Sequence, residues 1–294
     1  ISKKINVTKL NSSMIEFISW FSKYNLVPLG MSLKMCLFNK GVVEKNFDTE
    51  FKKFKIKNNK NNFLLNEEQK KSLVFMRHIG DNYNVSVLEG VTGSGKTIVY
   101  FNRIKDFVNK NKQALILLPE IALTNQFSRR FKEFFGAEPA IWHSATTKKN
   151  KSIIWKGITE GKIKIVIGAR SSLFLPFKNL GIIVVDEEHD ASYKQDEGVS
   201  YNARDMAITR ASLENIPINL VTSIPSIETY NNIVNKKYHS TKLKKRYKEA
   251  SLPTVEIINL HSEVLSKESW IAHKTINKVN KYLDKGDQVL FFLN

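Results

Sequence analysis

Two short stretches of the chain carry residue types whose spacing suits work on a phosphate group. The first is Gly90-Val-Thr-Gly-Ser-Gly-Lys-Thr97, which fits G-x-x-x-x-G-K-S/T at every fixed position. Glycines let the backbone N–H groups of Gly90, Val91, Thr92, Gly93, Ser94 and Gly95 curl around an anion, and a following helix points its positive end at the same charge. In such a loop Lys96 reaches the β- and γ-phosphates of a nucleotide, and Thr97 holds Mg²⁺. The second stretch is Asp186-Glu-Glu-His189, directly after the apolar run Gly181-Ile-Ile-Val-Val185. An acidic pair ending a buried strand of the same sheet suits Asp186 as a water-mediated Mg²⁺ ligand. Glu187 then orients or deprotonates an attacking water.

These residues need a scaffold, and the flanking pattern supplies one. Asn84–Glu89 reads as a short buried strand, and the run Ile98–Val108 has apolar residues at helical spacing, so the loop lies between strand and helix. Further apolar runs of strand length follow at Ala114–Leu118, Ile163–Ile167, Ile182–Val185 and Ile218–Val221, alternating with helical segments. That alternation predicts an α/β fold with a parallel sheet covered on both faces. Ligands in such sheets sit at the carboxyl ends of the strands, where the loop, Pro119-Glu120, Gly168-Ala-Arg170 and Asp186-Glu187 all fall. Upstream, Asn66 suits an N-cap with Glu67 and Glu68 in the first turn, opening a helix to about Ile79. Met14, Ile15, Phe17, Ile18 and Phe21 predict a first helix, Pro28 and Gly30 break it, and Ser32–Phe38 predicts a second. Residues 40–62 shift to Lys and Asn and read as a linker.

At 294 residues the chain has room for about two domains. Its 42% apolar content suits packed domains and argues against disorder. No stretch reaches the roughly 20 apolar residues of a spanning helix, and no secretory leader opens the chain. One cysteine, Cys36, excludes an internal disulfide and a multi-cysteine metal site within these residues. A net charge of +18 attracts polyanions, although a Lys- and Asn-rich composition accounts for part of it. The polar run Asp190–Asp205 embeds Tyr193 and Tyr201 beside Lys194 and Arg204. Such a loop either stacks bases while cations hold a nucleic-acid backbone, or its tyrosines anchor it to the core. Arg170 is a candidate phosphate ligand on charge grounds, whereas Arg129 reads as part of a solvated helix face. Lys242-Leu-Lys-Lys-Arg-Tyr-Lys248 is strongly basic, and either faces a polyanion or is plain solvated surface.

Taken in order, several stretches resemble the primosomal protein N′ (PriA) family of superfamily 2 DNA helicases. They are Gly90–Thr97, Leu118–Thr124, Trp142-His-Ser144, Val166–Phe174, Asp186–His189, and Tyr193-Lys-Gln195 through Tyr201–Asp205. The resemblance implies a P-loop NTPase (RecA-like) helicase lobe preceded by a small, mainly helical remnant of a DNA-binding region. It implies a 3′→5′ DNA-dependent ATPase of replication restart and primosome assembly, using ATP and Mg²⁺. Gln69 would read adenine, and Arg170, Tyr193, Lys194, Tyr201 and Arg204 would contact DNA. Implied partners are single-stranded and forked DNA, replication-restart proteins and single-stranded-DNA-binding protein, for a monomer in the bacterial cytoplasm at the nucleoid, with no membrane role. The expected division is residues 1–40 as the end of the DNA-binding region, 41–63 as a linker with the winged helix absent or vestigial, 64–240 as the ATP-binding lobe, and 241–294 as an inter-lobe segment with the first strand of a second lobe at Val289–Asn294. The family's zinc-binding cysteines and transition-state arginine are expected beyond residue 294, so that the piece binds ATP but turns it over slowly. One departure is Thr222-Ser-Ile-Pro-Ser226, where the family has Ser-Ala-Thr-Pro-Ser; Ile224 replaces a hydroxyl and is expected to weaken coupling between ATP and DNA. The alternatives are a non-catalytic DNA-binding remnant of such a helicase, or an NTPase acting on protein or RNA.

Overall fold

The computed structural model describes residues 10–37, 63–122, 124–246, 254–261 and 270–292. The chain forms two compact units, one up to Glu249 and one from Ala250. The expected linker at 41–63 lies outside the described residues but for Phe63. Among the described residues no helix is long and apolar enough to cross a membrane.

The first unit begins with two helices, α1 (Ser12–Tyr24) and α2 (Leu29–Leu37), followed by α3 (Glu67–Ile79). Then come β1 (Val85–Gly90), α4 (Lys96–Asn109), β2 (Gln113–Leu117), α5 (Asn125–Phe135), β3 (Ala140–Trp142), α6 (Lys148–Thr159), β4 (Ile165–Gly168) and β5 (Leu180–Asp186). A two-stranded hairpin, β6 (Lys194–Gln195) with β7 (Tyr201–Asn202), precedes α7 (Ala203–Leu213), β8 (Ile218–Thr222), α8 (Ile227–Val234) and β9 (His239–Leu243). Seven strands form one sheet in the order β3-β4-β2-β5-β8-β1-β9, and every pairing is parallel.

The strands expected in this unit are all present, and their alternation explains the two-sided core. Val85, Val87, Leu115, Leu117, Ile183 and Val185 enter one apolar cluster, with α1, α2, α6 and α7 over it. Leu88, Ala114, Ile116, Ile182 and Val184 point the other way, under α3, α4 and α5. Successive side chains of a strand face opposite sides, so a strand buried on both faces reads as an unbroken apolar run. Strands β3 and β9 are additional to those read from sequence. β9 crosses the expected boundary at residue 240: Leu243 is buried, and Lys242 pairs with Glu89 of β1 at 3.1 Å.

The two N-terminal helices pack on the lobe itself. Phe17 and Phe21 of α1 meet Phe174 with ring centroids 5.8 and 4.9 Å away, and Phe21 also meets Tyr201 at 5.4 Å. Arg210 of α7 is fully buried beneath them; it donates to Glu214 at 2.8 Å and to the Leu173 carbonyl, and lies over the Phe17 ring. Burial pushes the Cys36 thiol up to about 12, so this cysteine acts as a packing residue. The second unit contains α9 (His273–Leu283), where Lys274 pairs with Glu256 at 3.1 Å and Lys278 pairs with the same carboxylate. Val289–Phe292, expected as a strand, forms none among the described residues, and Leu290 and Phe292 are exposed. A strand needs a hydrogen-bonded neighbour to be stable.

Because Phe21 is sealed by three aromatic rings, Phe21→Ala is expected to cost about 3–5 kcal/mol of unfolding free energy, read as a lower urea midpoint. A loss below about 1 kcal/mol would mean that α1 does not anchor the fold.

Candidate functional site

Strand order brings the two chemical stretches together. β1 and β5 both pair with β8, so their carboxyl ends stand two strand spacings apart, about 10 Å. Lys96, Thr97, Asp186 and Glu187 line one cavity of about 360 Å³ at that edge.

The phosphate-loop turn depends on glycine. Gly93 and Gly95 have φ of 81° and 82°, in the left-handed region where a side chain is strained. A Cβ on Gly95 would also collide with the Gln69 amide. Lys96 is buried and donates to the Gly90 carbonyl at 2.8 Å, folding its ammonium back across the loop. Ser94 Oγ is buried with no hydrogen-bond partner. Gln69, expected to read adenine, is tied up at both ends of its amide. Its oxygen accepts from Asn66 N at 3.0 Å, completing the capping box of α3, and its nitrogen donates to the Ser94 carbonyl at 2.8 Å. Gln69 thus braces the loop. Its helix is held to α4 by the two-pronged Arg77–Asp106 pair, both contacts at 2.8 Å.

Asp186 closes the other side. Its carboxylate is nearly buried and accepts from Tyr100 Oη at 2.8 Å and from Glu187 N at 3.1 Å. Burial raises its pKa from the ordinary 3.8 to about 6; the Tyr100 hydrogen bond opposes the shift, and the Glu187 charge adds to it. Glu187 adopts φ of 48° and is partly exposed, facing the cavity. Glu188 turns the opposite way and is buried. It accepts from Ser226 N at 2.7 Å, Ser226 Oγ at 3.1 Å, Thr229 Oγ1 at 3.0 Å and Arg204 Nη1 at 3.2 Å. His189 Nδ1 lies 2.7 Å from Thr222 Oγ1. That hydroxyl spends its single proton on the Ile224 carbonyl at 2.6 Å, so the network assigns the His189 proton to Nδ1. Ile224 itself is 72% exposed. The link between the two segments therefore runs through Thr222 and Ser226, and the side chain at 224 takes no part in it.

The expected DNA contacts divide. Tyr193 is 1% exposed, and its hydroxyl donates to the Asp186 carbonyl at 2.5 Å and lies 3.0 Å from the Leu117 carbonyl. Tyr201 is 5% exposed against Phe21 and Phe174, and Arg204 is 8% exposed in the Glu188 network. All three are corrected to packing and linking roles, because a buried ring or guanidinium presents no face to a base or phosphate. Arg170 and Lys194 stay near the surface, with Arg170 donating to the Lys194 carbonyl at 2.5 Å and Lys194 pairing with Asp196 at 3.2 Å. Three residues of the site escaped sequence reasoning. Tyr100 had a usable signal, since it stands one turn after Lys96 on the same helix face. Glu188 read as one more acid of a turn. Arg130, which also lines the cavity, was masked by its neighbour Arg129, which pairs with Glu133 at 3.0 Å.

Comparisons with known proteins point the same way. The family model for DEAD/DEAH box helicases matches residues 68–225. The chain is 46% identical over 295 residues to replication restart protein PriA of Rickettsia conorii, covering 99% of this chain and 43% of that one. It is 36% identical over 233 residues to replication restart protein PriA of Bacillus subtilis, covering 78% and 29%. A solved structure of RecG bound to a three-way DNA junction matches with a TM-score of 0.52 at 18% identity, over 94% of this chain and 34% of that one, which is a likeness of fold. The chain spans less than half the length of these relatives.

A carboxyl whose folded pKa lies above its unfolded value binds its proton more readily when folded. Stability is then lost as pH rises through the interval between the two. For Asp186 that interval runs from 3.8 to about 6, and the loss amounts to about 3 kcal/mol at neutral pH in the nucleotide-free chain. Asp186→Asn is expected to raise the melting temperature at pH 7 and to flatten stability between pH 4 and 6, while the Tyr100 hydroxyl turns to accept from the new amide. An unchanged pH profile would mean that Asp186 is solvated.

Proposed function

For a chain that belongs to the DEAD/DEAH box helicase family, we propose the role of nucleotide-binding motor lobe in an ATP-dependent 3′→5′ DNA helicase of replication restart. The observation that carries the reading is the convergence of Lys96, Thr97, Asp186 and Glu187 on one cavity, with strands β1 and β5 flanking β8.

The residues fit a magnesium-bound triphosphate. The buried Ser94 hydroxyl lacks a partner, the Lys96 ammonium rests on a backbone carbonyl it can exchange for phosphate oxygens, and Asp186 is a buried carboxylate short of positive charge. Thr97 and Asp186 would hold Mg²⁺, which when bound supplies charge neutralisation at the phosphates. Lys96 leaves Gly90 to steady the β- and γ-phosphates. Glu187, facing the cavity with its backbone turned into the left-handed region, orients the attacking water and accepts its proton. Glu188 and His189 tie this edge to the 222–226 segment and to α8, so a shift at the phosphates is transmitted towards α7 and the β6–β7 hairpin. Arg170 and Lys194 are the remaining candidates for contact with single-stranded DNA, supported by a net charge of +18. Forked DNA, replication-restart proteins and single-stranded-DNA-binding protein follow as partners of a monomer in the bacterial cytoplasm. The hydroxyl that Ile224 replaces bears on the choice between a motor and a non-catalytic remnant. The exposure of Ile224, with the Thr222 and Ser226 links made, favours the motor.

Lys96→Ala is expected to weaken MgATP binding at least 100-fold in calorimetric titration; retained affinity would remove the assigned site. Glu187→Gln is expected to bind MgATP within a few-fold of wild type and to lower turnover by about 10²–10⁴. Turnover by residues 1–294 alone is expected to be slow, because a second-lobe arginine is worth about 10³–10⁵ in related phosphoryl transfers. Steady-state rates matching a complete motor would overturn that.

A further inference from the structure

The nucleotide cavity occupies the carboxyl ends of the strands, and the opposite edge of the sheet gathers charge that no step above uses. Strands β4, β2 and β5 are neighbours in that order, so the residues just before them lie side by side. Lys164 precedes β4, Lys112 precedes β2, and Lys178-Asn179 precedes β5. Backbone hydrogen bonds keep the row flush. Ala114 N donates to the Lys164 carbonyl and Gln113 N to the Asn179 carbonyl, both at 2.8 Å. At about 4.8 Å per strand the row spans roughly 10 Å.

Each side chain of the row is a donor. Lys164 Nζ donates to Asn111 Oδ1 at 2.6 Å, and Lys112 Nζ donates to Asn179 Oδ1 at 2.8 Å. An ammonium accepts nothing, so both asparagines turn their oxygens to lysine and keep their NH₂ groups as further donors. Lys110 and Lys162 beside the row are paired with Asp81 and Glu160, whereas Lys112, Lys164 and Lys178 make no ion pair among the described residues. Burial and the charge of Lys178 hold the Lys164 pKa below its ordinary value. Helices α4 and α6 end at this edge and offset about half a charge each, which is less than three ammoniums carry.

We propose that Lys112, Lys164 and Lys178 hold the phosphodiester backbone of duplex DNA, as a second nucleic-acid contact at the amino edge of the sheet. A surface that only donates fits a ligand that only accepts, and phosphate oxygens are such acceptors. The row carries no exposed aromatic ring on which the bases of a single strand could stack. A rigid row of cations instead suits a rigid polyanion, held for position and not for sequence. Arg170 and Lys194 follow the carboxyl ends of β4 and β5, so this contact is a strand length away from them, roughly 17 Å along the five residues of β2. It takes DNA as partner from the reading above and is independent of the nucleotide site.

The test measures binding of the 294-residue protein to a labelled 20-base-pair duplex by fluorescence anisotropy between 50 and 200 mM salt. The combined variant Lys112→Gln, Lys164→Gln, Lys178→Gln is expected to bind duplex roughly tenfold more weakly and to lower the salt slope by about 2–3. Its affinity for a 20-nucleotide oligo-dT and for MgATP is expected to match wild type. A control that loses the same charge elsewhere, Lys71→Gln, Lys236→Gln, Lys237→Gln, should keep the wild-type slope. Lys178→Glu alone changes an exposed side chain and is expected to lower duplex affinity about fivefold, so the test stands even where the combined variant fails to fold. Wild-type duplex affinity and slope in both variants would overturn the proposal. So would an equal loss in the control, which would mean bulk charge, or an equal loss for oligo-dT, which would mean a single-strand contact. Loss of binding to labelled poly-glutamate with duplex binding intact would assign the edge to an acidic protein and overturn it as well. A protein that binds duplex as described yet takes no MgATP would overturn the nucleotide site alone.

Discussion

The hydrogen bond from Tyr100 to Asp186 joins the two halves of the site. One partner belongs to the helix that follows the phosphate loop, the other to the end of the strand two places along the sheet. A carboxylate at that depth is costly to ionise, and a lone one would draw in a proton or water. The tyrosine hydroxyl gives it one donor and the Glu187 amide another, which leaves part of the charge unsatisfied. That residual demand for a cation is what the proposed Mg²⁺ site would draw on. The glycine loop opposite is under a matching strain, with an ammonium folded onto a carbonyl and a serine hydroxyl left without a partner.

Burial divides the labour among three consecutive residues. Asp186 and Glu188 point inward and Glu187 outward, because β5 ends at Asp186 and the chain turns through the left-handed φ of Glu187. Glu188 is then fixed by four donors, one of them the backbone N–H of Ser226 at the start of α8. An anion at a helix N-terminus is favourable twice over, through the free N–H groups and through the dipole. Removing either Arg204 or Ser226 would leave a buried charge short of donors, so the segment after β8 is bound to the acidic stretch by energetics as well as by proximity.

Much of the site was legible in the amino-acid sequence because its signals are local. A loop that must wrap an anion needs glycines at set positions, and strands buried on both faces need continuous apolar runs, as at Ala114–Leu118 and Ile182–Val185. The 190–205 stretch was less legible, because tyrosine and arginine serve a wet surface and a packed core equally well. Only the fold reveals that Phe21, far away in sequence, supplies the wall against which Tyr201 is buried. The same holds for β9: a strand with His239, Ser240 and Lys242 lacks apolar periodicity, and it forms because β1 offers it a free edge.

Ile224 shows how a departure from a family pattern acquires meaning from geometry. A hydroxyl there would be an obvious relay if the chain between Thr222 and Ser226 ran with that side chain inward. Instead the Thr222 hydroxyl accepts from His189 and donates to the backbone of residue 224, closing a tight turn that throws the isoleucine into solvent. Proline at 225 and the Ser226 cap of α8 then fix the exit of that turn. In this conformation the contacts between the two segments are made by the residues on either side of the substitution, so an alkyl group at 224 costs the linkage no donor and no acceptor.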